Sequence, residues 1–72
     1  MITINQLKRV HLIGIGGIGV SGIASILISK GIKISGSDLR SSNITRKLES
    51  SGAIIHYSHD ETQITEDIDL VV

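Results

Sequence analysis

Apolar and polar positions fall into short blocks along this 72-residue chain. Val10-His11-Leu12-Ile13 is nearly continuous in apolar character, which predicts a central parallel strand over Lys8–Ile13, covered on both faces. From about Gly17 to Lys30, the residues Val20, Ile23, Ala24, Leu27 and Ile28 recur at steps of three and four. That is the period of an amphipathic helix, with Lys30 near its negative end and Gly31 as a left-handed stop. Ile32–Ser37 alternates apolar with polar and reads as a second, less buried strand. Ser41 or Ser42 caps a second helix that points Ile44 and Leu48 at the sheet and ends at Gly52. Thr45, Arg46, Lys47 and Glu49 are its expected solvated face.

Ala53–Tyr57 reads as a third strand, Asp60 caps a short helical turn through Gln63, and Ile68–Val72 begins a fourth strand. Met1–Gln6 is a lead-in of mixed polarity. The order strand, helix, strand, helix, strand, strand predicts an α/β fold, a Rossmann-like parallel sheet with flanking helices and right-handed connections. The chain stops inside an apolar strand, so an incomplete domain is expected, with Val71 and Val72 on an open edge through which copies would self-associate.

At the join between the first strand and the first helix stands Gly14-x-Gly16-x-x-Gly19. Gly14 lets the chain turn sharply, Gly16 is expected to let backbone approach a phosphate, and Gly19 to let the helix lie close to the sheet. The opening turn of a helix carries unpaired N–H groups and a partial positive charge, so its mouth attracts a phosphate or diphosphate. The chain carries no formal charge from Val10 to Ser29, which by length alone resembles a membrane span. Five glycines between Gly14 and Gly22, each costing about 1 kcal/mol inside a helix, argue instead for a strand-to-helix turn.

Composition narrows the classes further. Seven basic and seven acidic side chains cancel, which disfavours a nucleic-acid or anionic-membrane surface. The absence of cysteine excludes a disulfide framework and a thiolate zinc site. Among candidate chemical groups, His11 reads as a histidine satisfied within its strand, since no second ligand stands at metal spacing. Ser21 either completes the helix start or adds a hydrogen bond to a bound phosphate. Asp38 follows the second strand about 20 residues beyond Gly19, where a dinucleotide fold places a carboxylate on ribose hydroxyls; a turn cap is the alternative. Arg40 reads as solvated. His59, in Ser58-His59-Asp60-Glu61, emerges on the ligand side of the sheet but by position alone is an exposed loop histidine. Nothing reads Gly-x-x-x-x-Gly-Lys-Ser/Thr, and there is no acidic cluster for magnesium and no candidate catalytic base. On these residues alone, a nucleotide-binding part of an enzyme, an NAD-binding module of a dehydrogenase or regulatory protein, and a small scaffold all remain open.

His11-Leu12-Ile13-Gly14-Ile15-Gly16-Gly17-Ile18-Gly19-Val20-Ser21-Gly22-Ile23-Ala24 resembles the amino-terminal loop of the Mur ligase family, as found in members that join L-alanine to UDP-N-acetylmuramate. Ser35-Gly36-Ser37-Asp38-Leu39 and His59-Asp60 resemble two further segments of it. Val20 stands where the family has methionine, and Ser58 where it has glycine. The resemblance implies that residues 1–72 are the first part of a UDP-substrate-binding domain, with ATP and magnesium bound by a central domain and the amino acid by a third. It implies an ATP-dependent, amide-forming, cytoplasmic ligase of peptidoglycan synthesis. Carried over by position, Gly16, Gly17, Ile18, Gly19, Val20 and Ser21 would cradle the diphosphate of UDP. Asp38, Leu39 and His59 would lie against ribose and uracil, with no catalytic or metal-binding residue here. The 72-residue piece alone is expected to be inactive.

Overall fold

The computed structural model describes residues 6–72, so most of the lead-in lies outside the described residues. The elements are β1 (Arg9–Ile13), α1 (Ile18–Ser29), β2 (Lys33–Ser37), α2 (Asn43–Ser50), β3 (Ile54–His56), a 3₁₀ turn (Glu61–Gln63) and β4 (Leu70–Val71). The four strands form one parallel sheet in the order β3-β2-β1-β4. The chain thus runs outward from β1 through β2 to β3, then returns to the other flank of β1. This reversal is the topological switch of open α/β folds, the place where such sheets bind ligands at their carboxyl ends.

Strand alternation gives the sheet two different faces. Val10 and Leu12 of β1, Ile34 of β2 and Ile55 just across from Gly36 point toward α1 and α2, which pack side by side. Ala24 and Leu27 of α1 and Leu48 of α2 close this core, with Val20 and Ile28 at its margin. Ile23 departs from the expected apolar face and is 44% exposed. In α2 the expectation is partly inverted: Thr45 is fully buried while Ile44 is 38% exposed. The cap explains this, because Ser42 and Thr45 form a reciprocal capping box that turns Thr45 inward. The Ser42 amide donates to the Thr45 hydroxyl (2.8 Å) and the Thr45 amide to the Ser42 hydroxyl (3.2 Å).

The other face carries no helix among the described residues. His11, Ser35, Ser37 and His56 point there, and the segment leading from β3 to β4 crosses it. Asp69 anchors the return: its carboxylate accepts the amides of Lys8 (2.7 Å) and Arg9 (3.0 Å) at the start of β1. At the far end Ile13 and Val72 bond through backbone, N–H to O 2.9 Å. No described helix is long and apolar enough to cross a membrane.

Candidate nucleotide site at the carboxyl end of the sheet

Gly14 leaves β1 with φ +72°, the left-handed conformation that makes the sharp turn. The amides of Gly14 (2.8 Å) and Ile15 (3.0 Å) both donate to the carbonyl of Ser37 at the end of β2. The next free amide, that of Gly16, donates to Oδ2 of Asp38 at 2.8 Å. Three amides of the loop are therefore held by two consecutive residues, Ser37 and Asp38. Gly17 donates back to Gly14 (2.9 Å), and α1 then opens with no side-chain cap. That leaves the amides of Ile18, Gly19 and Val20 without intrahelical acceptors at the positive end of the helix.

The three glycines of the loop meet different surroundings. A Cβ on Gly16 would stand 2.7 Å from Asp38 Oδ2 and 3.0 Å from Thr45 Cγ2, so the close neighbour that needs glycine here is a carboxylate of the chain itself. A Cβ on Gly19 would meet nothing within 4 Å, so close helix–sheet packing does not depend on it. The tight position is Gly36, which the sequence reading gave no role. Its Cβ would lie 2.7 Å from both Ile15 Cδ1 and the Leu12 carbonyl. Gly36 lets the loop residue Ile15 settle on β2, and this in turn sets the height of the glycine turn above the sheet.

The remaining site candidates gather at the same end. Asp38 sits just beyond β2, and the Gly16 amide, with smaller help from Arg40, Leu39 and His59, holds its carboxyl below the ordinary carboxylate value. It is therefore an anion at neutral pH, and its Oδ1 accepts a long bond from the Arg40 amide (3.3 Å). Leu39 is 67% exposed on the rim, an apolar surface free to meet a planar ligand. His59 lies over the end of β2, its Nδ1 2.6 Å from the Ser37 hydroxyl. His59, Ser37, His11 and Ile13 line a cleft of about 270 Å³ between the sheet and the 3₁₀ turn, which Asp60 caps through the Thr62 amide (2.9 Å). Ser21 stands in the first turn of α1, where its hydroxyl donates to the Ile18 carbonyl (3.1 Å).

His11 is buried and bonded through Nδ1 to the hydroxyl of Ser35, its partner in the sheet register, at 2.9 Å. Desolvation, assisted by nearby His56, pushes its pKa down, so the ring is neutral at physiological pH. The larger concavity, about 460 Å³, is at the opposite end of the sheet among Leu7, Lys8, Arg9, Lys30 and Lys33. There Arg9 pairs with Asp67 at 3.3 Å, and no helix mouth opens into it. The uncapped helix mouth of α1 lies at the carboxyl end.

Residues 9–72 match the pattern described as "Mur ligase family, catalytic domain". The chain belongs to the Mur ligase family. Its relatives include proteins named UDP-N-acetylmuramate–L-alanine ligase. That of Acetivibrio thermocellus is 57% identical over 68 residues, 94% of this chain and 14% of the relative. Those of Clostridium kluyveri (54% over 65 residues, 90% of this chain and 14% of the relative) and Carboxydothermus hydrogenoformans (45% over 69 residues, 96% and 15%) are also similar. This Mur ligase chain thus spans about one seventh of the length of the curated relatives it matches. The sequence reading assigned no role to Ser37, which holds both the glycine loop and His59. The signal available was a Ser-x-Ser in a strand whose neighbours are apolar: polar side chains there need a stated partner.

Proposed function

We propose that this chain is the first part of the UDP-substrate-binding domain of a ligase that joins L-alanine to UDP-N-acetylmuramate in peptidoglycan synthesis. The observation that carries the reading is the convergence of an uncapped helix mouth, the Asp38 carboxylate and His59 at the carboxyl end of one parallel sheet. The names of the relatives supply the substrate. The free amides of Ile18, Gly19 and Val20 would receive the diphosphate, with Gly16, Gly17 and Ser21 shaping the turn beneath them. Asp38, already fixed through Oδ2, would offer Oδ1 to ribose hydroxyls, and Leu39 and His59 would lie along the base and sugar. The Asp38 charge repels a 2′-phosphate, which disfavours an NADP-like ligand.

Val20 stands after the glycine loop where an ATP-gripping loop would carry its lysine, and among the described residues no three His, Asp or Glu side chains gather. These residues do not fit ATP or magnesium, so those groups are assigned to the rest of a longer, cytoplasmic enzyme. The isolated piece would not ligate. The open edge of β4, with Leu70, Val71 and Val72 each more than 40% exposed, would make it self-associate. Titration of the intact protein with UDP-N-acetylmuramate and, separately, NAD tests the reading by thermal shift. Stabilisation by the UDP compound alone supports it; stabilisation by NAD alone replaces it with a dehydrogenase-type module.

A further inference from the structure

Ser37 carries two separable tasks. Its backbone carbonyl holds the amides of Gly14 and Ile15, and its hydroxyl lies 2.6 Å from Nδ1 of His59. The residue is 1% exposed, at the end of β2 on the helix-free face, whereas His59 is exposed on the loop above it. A buried hydroxyl needs somewhere to send its proton. Among the described residues the Ser37 hydroxyl has one partner, His59 Nδ1. If Nδ1–H donated to Ser37, the hydroxyl proton would be buried without an acceptor. The satisfied arrangement has Ser37 Oγ–H donating to Nδ1, which leaves the ring proton on Nε2.

We infer that Ser37 is a positioning residue: it fixes the ring and tautomer of His59 so that Nε2–H is presented as a hydrogen-bond donor beside the glycine loop. A donor at that place selects for an acceptor on the ligand, a carbonyl or hydroxyl oxygen of the nucleoside. The residue whose carbonyl holds the Gly14 and Ile15 amides thereby also sets the histidine, so the phosphate and nucleoside ends of the site share one anchor in β2. This inference rests on the proposed role of His59 against the nucleoside, and the test below separates the two.

Ser37→Ala removes the hydroxyl but leaves the carbonyl bonds to Gly14 and Ile15, so the loop keeps its support. In the intact protein, UDP affinity is measured for wild type, Ser37→Ala, His59→Ala and the double variant, and the His59 tautomer is read from long-range ¹H–¹⁵N NMR of the ring. The expected results are a loss of about five- to tenfold in UDP affinity for Ser37→Ala, the size of one hydrogen bond. No further loss is expected on adding it to His59→Ala. The ring should be held as the Nε2–H tautomer in wild type and drift to a mixture in Ser37→Ala. Full UDP affinity in Ser37→Ala with an unchanged tautomer, or losses that simply add to those of His59→Ala, would overturn the inference while leaving the site reading intact. If His59→Ala itself binds UDP normally, the role of His59 in the proposed function fails. The ring tautomer in Ser37→Ala then decides on its own whether Ser37 orients the ring. Ser37→Cys, close in volume but a weak donor, should behave like Ser37→Ala and guards against a packing artefact.

Discussion

The two faces of this small sheet are built by opposite rules. On the helix-covered face every inward position of β1 and β2 is apolar or absent: Val10 and Leu12, then Ile34 and Gly36. On the other face the inward positions are His11, Ser35 and Ser37, matched into hydrogen-bonded pairs rather than packed. The first face holds the core, and the second holds the polar pairs, His59 of the candidate site among them. The two faces meet at the end of β2, where Gly36 fits against Ile15 and Ser37 and Asp38 hold the glycine turn. A parallel sheet with both faces covered can therefore carry polar strand residues, provided each has a partner.

The contrast can be broken from either side. Gly36→Ala attacks the apolar face where a backbone carbonyl blocks relaxation, and should cost about 3 kcal/mol or abolish folding, read by denaturant titration. Asp38→Ala removes the acceptor of the Gly16 amide and should cost about 1–2 kcal/mol at neutral pH. The contribution of Asp38 has a definite sign with pH. Its folded pKa is depressed, so the stability is present above the ordinary carboxylate value of about 3.9 and lost as pH falls below it; Asp38→Ala should flatten that part of the acid limb. His11 acts in a higher window. Its folded pKa lies below the ordinary histidine value of about 6.5, so the unfolded chain takes up the proton first and stability drops as pH falls through that value. Melting followed from pH 7 to pH 5 should show this step, and His11→Gln should remove it. The smallest effect is a gain: Gly19→Ala enters open space in a helix and should stabilise the fold by about 0.5–1 kcal/mol. A clear loss there would restore the close-packing role that its spacing predicts.

What the sequence made legible follows the same division. Apolar runs and periods located the strands and helices of the described residues, most directly β1, β2 and α1, whose burial is a one-dimensional signal of spacing. They misassigned Thr45 and Ile44, because the capping box rotates α2 and a capping threonine reads as polar whether or not it is buried. The glycine loop and Asp38 were visible as a spaced motif, and the structure brings them together at 2.8 Å. Gly36 and Ser37 were not visible, since their roles come from contacts with Ile15 and His59, distant in sequence and unmarked by any period.

The central claim is that the bare amides opening α1 receive the diphosphate. Amide NMR of the intact protein titrated with UDP tests it most directly. The account predicts saturable shifts at Ile18, Gly19 and Val20, with the amides of Lys30–Lys33 at the opposite end of the sheet unmoved. Binding of UDP that leaves the Ile18–Val20 amides unshifted, or shifts the Lys30–Lys33 end in their place, would contradict it.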